Sequence, residues 1–196
     1  MIDSRGAIFV HCIKTRKVGK QKDSQKFGFI EIKPYLCRNF SSMDMQTKDY
    51  KYRKELDELL AVGCQLPTLH APNNMHAYRF ASSQEGFQNH IPQYISNPKR
   101  MLQDISKGNA NTSLISLSCF DTAPHAESFY ENLQKAFKNI SNSIGDSLSE
   151  GNLKNEDGVM TTPASNGHFD FYEYIGCDLN KSFVITKNMK DGDEKD

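Results

Sequence analysis

The chain has 196 residues, carries 24 basic and 24 acidic side chains, and is 37% hydrophobic. A neutral, rather polar balance argues against a chain-wide nucleic-acid coat and against a polybasic membrane binder, and the length suits one domain better than two. No apolar run approaches the roughly 18 residues needed to cross a bilayer, no signal-peptide pattern stands out near the start, and the five cysteines are odd in number and widely spaced. A cytoplasmic protein with reduced thiols and no membrane partner is therefore expected.

Two short β-rich runs, 7–14 and 27–33, read as a long-looped hairpin, with basic residues gathered in the connecting loop 14–26. Tyr52, Leu56, Leu59 and Leu60 fall on one face of a helix over 50–62, and Gly63 supplies a stop. Residues 64–74, with Pro67 and Pro72, read as loop, and 76–81 as a short strand. The stretch 82–96 is ambiguous because Pro92 interrupts a helical pattern. Asn97 followed by Pro98 marks a helix start, Met101, Leu102 and Ile105 share its apolar face, and Gly108 ends it.

Residues 112–120 read as a strand with Ile115, Leu117 and Cys119 on one face and Ser116 and Ser118 on the other. A helical period sustained from Ala126 through Ile144, capped by Asp121 or Thr122, predicts one long helix over about 123–144. Residues 151–167 have the composition of an exposed loop, and 168–175 with 182–187 read as a second hairpin. The fold class expected is α+β: a mostly antiparallel sheet, hairpins near both ends, and the long helix packed across it. A single domain should occupy 1–187, followed by a disordered charged tail over 188–196.

Three constellations carry possible chemistry. On the strand 27–33, Glu31 and Lys33 point to the same face, where a carboxylate can hold Mg²⁺ and an ammonium can orient an attacking water. The Glu-Ile-Lys triplet resembles the E-x-K half of the PD-(D/E)-x-K nucleases. That resemblance implies a metal site of Glu31 with Asp23 or Asp3 as the second acid and Mg²⁺ as cofactor; the basic loop, with Arg16, Lys17, Lys20 and Lys22, would grip phosphate. Asp23 lacks the preceding proline, and the helix that usually comes first in that family is missing.

His168, Asp170, Tyr172 and Tyr174 share one face of a strand, and Phe169 and Phe171 the other. His168 and Asp170 are close enough to act as a general base with an orienting carboxylate, or as two of three metal ligands. Finally, Tyr78-Arg79 on a short strand, Ser116-Leu117-Ser118 on a later one and Glu173 near the C-terminus are similar in chain order to the arginine, serine strand and glutamate of arginine-type ADP-ribosyltransferases. Phe171 stands where E-x-E or Q-x-E is expected.

No glycine-rich loop suggests a Walker or dinucleotide-binding turn. The function expected first is an interaction or regulatory module, binding a protein or a nucleic-acid-associated partner, or a second copy of itself, through polar-aromatic surfaces. A Mg²⁺-dependent nuclease and an ADP-ribosyltransferase-like enzyme are the two alternatives.

Overall fold

A computed structural model describes residues 49–189. The first expected hairpin, the loop 14–26 and most of the charged tail lie outside this range. The described part is α+β, with one six-stranded antiparallel sheet in the order β4-β5-β2-β1-β3-β6. No helix among the described residues is long and apolar enough to cross a membrane.

Helix α1 (Arg53–Ala61) buries Leu56 and Leu59, and Gly63, at φ +95°, turns the chain so that its N–H reaches the Leu60 carbonyl. Strand β1 (Met75–Ala81) alternates sharply. Ala77 and Ala81 face one core, while Tyr78 and Phe80 face another. Helices α2 (Gln93–Ser96) and α3 (Pro98–Lys107) follow, the second capped by the Asn97 side chain accepting from the Arg100 N–H and closed by Gly108 in the left-handed region. On α3 Met101 is buried, but Leu102 is 62% exposed: the apolar face is narrower than the period suggests.

Residues 112–120 divide into two elements. A 3-10 turn (Thr112–Ile115) precedes β2 (Leu117–Phe120), because Asn111 accepts from the Ser113 N–H and Thr112 Oγ1 donates to the Gln65 carbonyl. Such local side-chain bonds compete with a strand ladder.

The long helix is also shorter than expected. Helix α4 (Ala123–Ala136) starts at the Thr122 cap and stops where Phe137 adopts an extended backbone, leaving its ring 59% exposed. The run Ser141-Asn142-Ser143 prefers local bonding to helix continuation and forms only the single turn α5 (Ser141–Ile144), ended by Gly145.

The supposed loop 151–167 contains strand structure. β3 (Ser147–Leu153) pairs with β1 along its whole length, from Met75 opposite Leu153 to Ala81 opposite Ser147, and β4 (Gly158–Met160) pairs with β5 (His168–Glu173). The glycines that suggested a loop are required by packing. A Cβ at Gly151 would lie 2.5 Å from the Phe183 ring, and one at Gly158 would lie 2.2 Å from the Tyr172 carbonyl oxygen.

Nor do the last two strands make a hairpin. After α6 (Leu179–Ser182), β6 (Val184–Asn188) joins β3 at the far edge, four strands away from β5 in the sheet order.

One sheet face buries Leu117, Cys119, Phe169, Phe171 and Phe183, and α4 covers the opposite face through Ala126 and Tyr130 against Phe120 and Leu148. The rings of Phe80, Phe120, Phe129 and Tyr130 form a tilted cluster with centroids 5.1–6.4 Å apart. A third core joins α1, Tyr94, Met101 and Ile115.

Candidate active site

Strands β1, β2 and β5 are consecutive in the sheet, so residues from distant parts of the chain become neighbours: Arg79 alternates onto the face of Ala77, Cys119 and Phe169, and Ser118, His168 and Asp170 onto the other. Ser118 stands opposite Asp170 in register, and Phe120 opposite His168. Across that register Ser118 Oγ lies 2.6 Å from His168 Nε2. Ser116 Oγ lies 2.9 Å from Asp170 Oδ1 and 2.6 Å from the Ser113 carbonyl oxygen, so its single hydroxyl proton is divided between two acceptors. Asp170 is also held from behind, its own N–H donating to Thr161 Oγ1.

The electrostatics of this pair follow from burial. Desolvation holds the His168 imidazole below its ordinary pKa, and the Asp170 charge partly offsets it. Burial pushes the Asp170 carboxyl up, against the Ser116 hydroxyl and the His168 ring, which both favour its charge. His168 is therefore a neutral imidazole near pH 7, able to take a proton.

Arg79 donates from Nη1 to the Ser118 carbonyl at 2.7 Å, while its Nε is buried with no hydrogen-bond partner. Burial lowers its pKa, with Cys119 and Glu173 opposing. No carboxylate among the described residues lies within ion-pair distance of it. The guanidinium lines a cleft of about 1110 Å³ together with Phe80, His90, Ser116, Ser118 and Asp146. Two loops frame this cleft, and Asp146 ties them: it accepts from the Ser83 N–H at 2.7 Å and from Ser83 Oγ at 2.9 Å. The close approach of Gly145 to the Ala81 carbonyl leaves no room for a Cβ there.

His90 occupies the same wall. It is 7% exposed, has a backbone φ of 59°, packs edge-on against Phe183 and leaves Nδ1 without a partner. Burial first, then the Arg79 charge, push its pKa down to about 4, so it is neutral. A non-glycine residue in the left-handed region stores strain of the kind found at functional sites.

Glu173, like His168 and Asp170, is not among the cleft-lining residues. It is 4% exposed, paired with Lys51 Nζ at 2.8 Å, and Lys51 also donates to the Cys177 carbonyl. The carboxylate that stands beside Ser116 and opposite Ser118 is Asp170. Tyr172, expected on a polar-aromatic surface, is 2% exposed and so offers no free face.

Glu31, Lys33 and Asp23, with Arg16, Lys17, Lys20 and Lys22, lie outside the described residues. Among the described residues no group of three His, Cys, Asp or Glu side chains is placed to hold a metal ion. His70 contacts the neighbouring Ala71 carbonyl, whereas His76 contacts Asn152 and Glu150, so the two do not share a site. The Cys119 thiol is fully buried and pushed up to about 12 by desolvation, which makes it a core side chain rather than a nucleophile.

His90 and Asp146 are the cleft residues that sequence reasoning passed over. His90 falls in the ambiguous stretch before Pro92, and Asp146 follows a glycine in what read as a helix end. Neither carries a signal that period or composition exposes. Compared with known protein families, curated proteins and solved structures, the chain matches none.

Proposed function

We propose that this chain is an ADP-ribosyltransferase-like enzyme, using NAD as donor and a protein partner as acceptor, with Arg79, Ser118, His168 and Asp170 as its working residues. One observation carries this: the arginine and serine strands whose chain order resembles the arginine-type transferases are sheet neighbours, Arg79, Ser116 and Ser118 line one cleft, and β5 sets His168 and Asp170 within hydrogen-bond distance of the two serines. The chain departs from the expected order in its acid, which is Asp170 on β5 in place of Glu173.

The chemistry follows from charge. Arg79 presents a guanidinium that forms no ion pair with a carboxylate among the described residues, a match for a diphosphate. The cleft volume of about 1110 Å³ is just above the usual range of small-molecule sites, about 300–1,000 Å³, and suits a dinucleotide. Cleavage of an N-glycosidic bond builds positive charge on the ribosyl carbon and its ring oxygen, and a nearby carboxylate stabilises that charge. Asp170 supplies it, and Ser118 with His168 orients hydroxyl groups of the sugar.

Nicotinamide release from NAD by the full chain tests this directly. Asp170→Asn and Arg79→Lys should each reduce kcat/KM by about 10²–10³, the usual effect of removing a group that stabilises transition-state charge. Absence of release, or equal turnover by Asp170→Asn, overturns it. The three described cysteines carry free thiols, in keeping with a cytoplasmic setting.

A second reading, the interaction module, is favoured by β6. This strand ends the sheet order, and it exposes Val184 (61%) and Ile185 (47%). Val184→Lys should then disrupt self-association or partner capture measured by light scattering. A strictly monomeric chain with no partner, unchanged by the substitution, removes that reading.

A further inference from the structure

Ser118 and His168 together have the two parts of an activated nucleophile. Ser118 is exposed and lines the large cleft, while His168 stands beside it, outside the lining, with Nε2 2.6 Å from Ser118 Oγ. The imidazole is held in place: Phe120 meets it edge-on at 5.4 Å, and Phe129 of α4 stacks on it at 6.4 Å. Burial keeps the ring neutral near pH 7, so Nε2 can take the hydroxyl proton. Strands β1 and β2 share only the register pair Tyr78–Phe120, and beyond it the Ser118 carbonyl is met by Arg79 Nη1 at 2.7 Å. The serine therefore stands where the two strands part and is open to the cleft. Arg79, in the wall of the same cleft, offers the positive charge that an oxyanion needs.

The other walls point to the substrate. Phe80, Phe87, Ile91, Ile95, Leu114 and Ile144 all line the cleft, and Phe87 is 56% exposed, so a hydrocarbon group finds apolar surface within it. We propose that the chain hydrolyses carboxylic esters with an aliphatic acyl group, Ser118 acting as nucleophile and His168 as general base. Ser118 Oγ bonds to the acyl carbon as its proton passes to His168 Nε2. The ester C–O bond then breaks, and the leaving oxygen takes that electron pair and the proton from His168. Water attacks the acyl-serine, giving a proton to His168, and Ser118 regains a proton as the acid departs, so ester and water become acid and alcohol. This activity goes beyond the transferase reading and does not rest on it: there the pair bonds to sugar hydroxyls, and here it reacts with a different substrate.

A fluorophosphonate, which phosphonylates activated serines with loss of fluoride, and the p-nitrophenyl esters of acetate and hexanoate are the probes. Peptide mapping of the full wild-type chain should place the phosphonyl group on Ser118, a result that does not depend on how any variant folds. Labelling should be lost in Ser118→Ala, slowed about 10²-fold or more in His168→Asn, and unchanged in Ser143→Ala, which removes another exposed serine of the cleft. The hexanoate ester should be cleaved with a kcat/KM about tenfold or more above that of the acetate, from burial of its extra methylenes, and Ser118→Ala should abolish both. No label on the wild-type chain, label spread over several hydroxyls, or ester cleavage that survives Ser118→Ala overturns the proposal, and equal rates on the two esters overturn the aliphatic assignment. A chain that cleaves esters through Ser118 but never releases nicotinamide from NAD keeps this activity and loses the transferase reading. Nicotinamide release by a chain whose Ser118 is inert to both probes does the reverse.

Discussion

Ser118 Oγ and His168 Nε2 meet at 2.6 Å across the β2–β5 register, although fifty positions separate them in the chain. The contact joins two neutral groups, since burial keeps the imidazole below its ordinary pKa. The ring should titrate below about 6.5 in NMR. Asp170→Asn removes the one charge that holds the value up and should lower it further. A midpoint that rises in this variant would show that Asp170 does not act on the ring.

His90 gives the fold a pH dependence of definite sign. Its folded value of about 4 lies below the unfolded value of about 6.5, so unfolding takes up a proton between them. Its contribution to stability is complete above about pH 6.5 and is lost as the pH falls through about 4, by at most about 3 kcal/mol. Asn tolerates a positive φ, so His90→Asn should flatten this dependence in urea unfolding across the same window. Asp170, with its raised value, works in the opposite sense, and the informative quantity is the difference between variant and wild type.

Lys51→Met should destabilise the chain by about 3 kcal/mol in denaturant unfolding, because it strands Glu173 as a buried charge whose Oε2 already lacks a partner. Adding Glu173→Gln should recover most of the loss. A double variant no better than the single one would mean that the Lys51 stem, not its charge, supplies the stability.

Gly151 and Gly158 should respond differently to alanine. The obstacle at Gly151 is the Phe183 ring, whereas at Gly158 it is first the Tyr172 carbonyl oxygen. Gly151→Ala should cost about 1–3 kcal/mol and be eased by Phe183→Leu, while Gly158→Ala should cost as much or more with no side-chain rescue. Thermal unfolding of the two variants and of the double variant decides this.

Cys119 and Cys177 are buried, with thiols pushed up to about 12 chiefly by desolvation, while Cys64 is half-buried. Peptide mapping after brief alkylation at neutral pH should therefore find Cys64 modified, with Cys119 and Cys177 modified only after unfolding. Rapid labelling of Cys119 would contradict the closed sheet core.

Local signals carried several elements by themselves. Asn97-Pro98 and Gly108 bracket α3, Thr122 starts α4, and alternation puts His168 and Asp170 on one side of β5 with Phe169 and Phe171 on the other. These features depend on a few neighbouring residues, so the α+β class was legible without a partner strand in view. The long helix was not: the apolar period runs on past Ala136, but Phe137 is left 59% exposed, and tertiary contact, not period, sets where a helix ends.

The neutral, polar composition and the chain order of Arg79, Ser116, Ser118 and an acid were properties of the sequence alone. Strand neighbours belonged to the tertiary structure. Gly151 and Gly158 read as loop because close packing and chain flexibility call for the same residue, and β5 and β6 read as a hairpin because proximity along the chain is the only pairing cue that a sequence offers. The surroundings of Asp170 and Glu173 were decided in the same way. Both are carboxylates on one strand, three residues apart; alternation puts them on opposite faces, but only the tertiary structure gives one the Ser116 hydroxyl and the other a buried pair with Lys51.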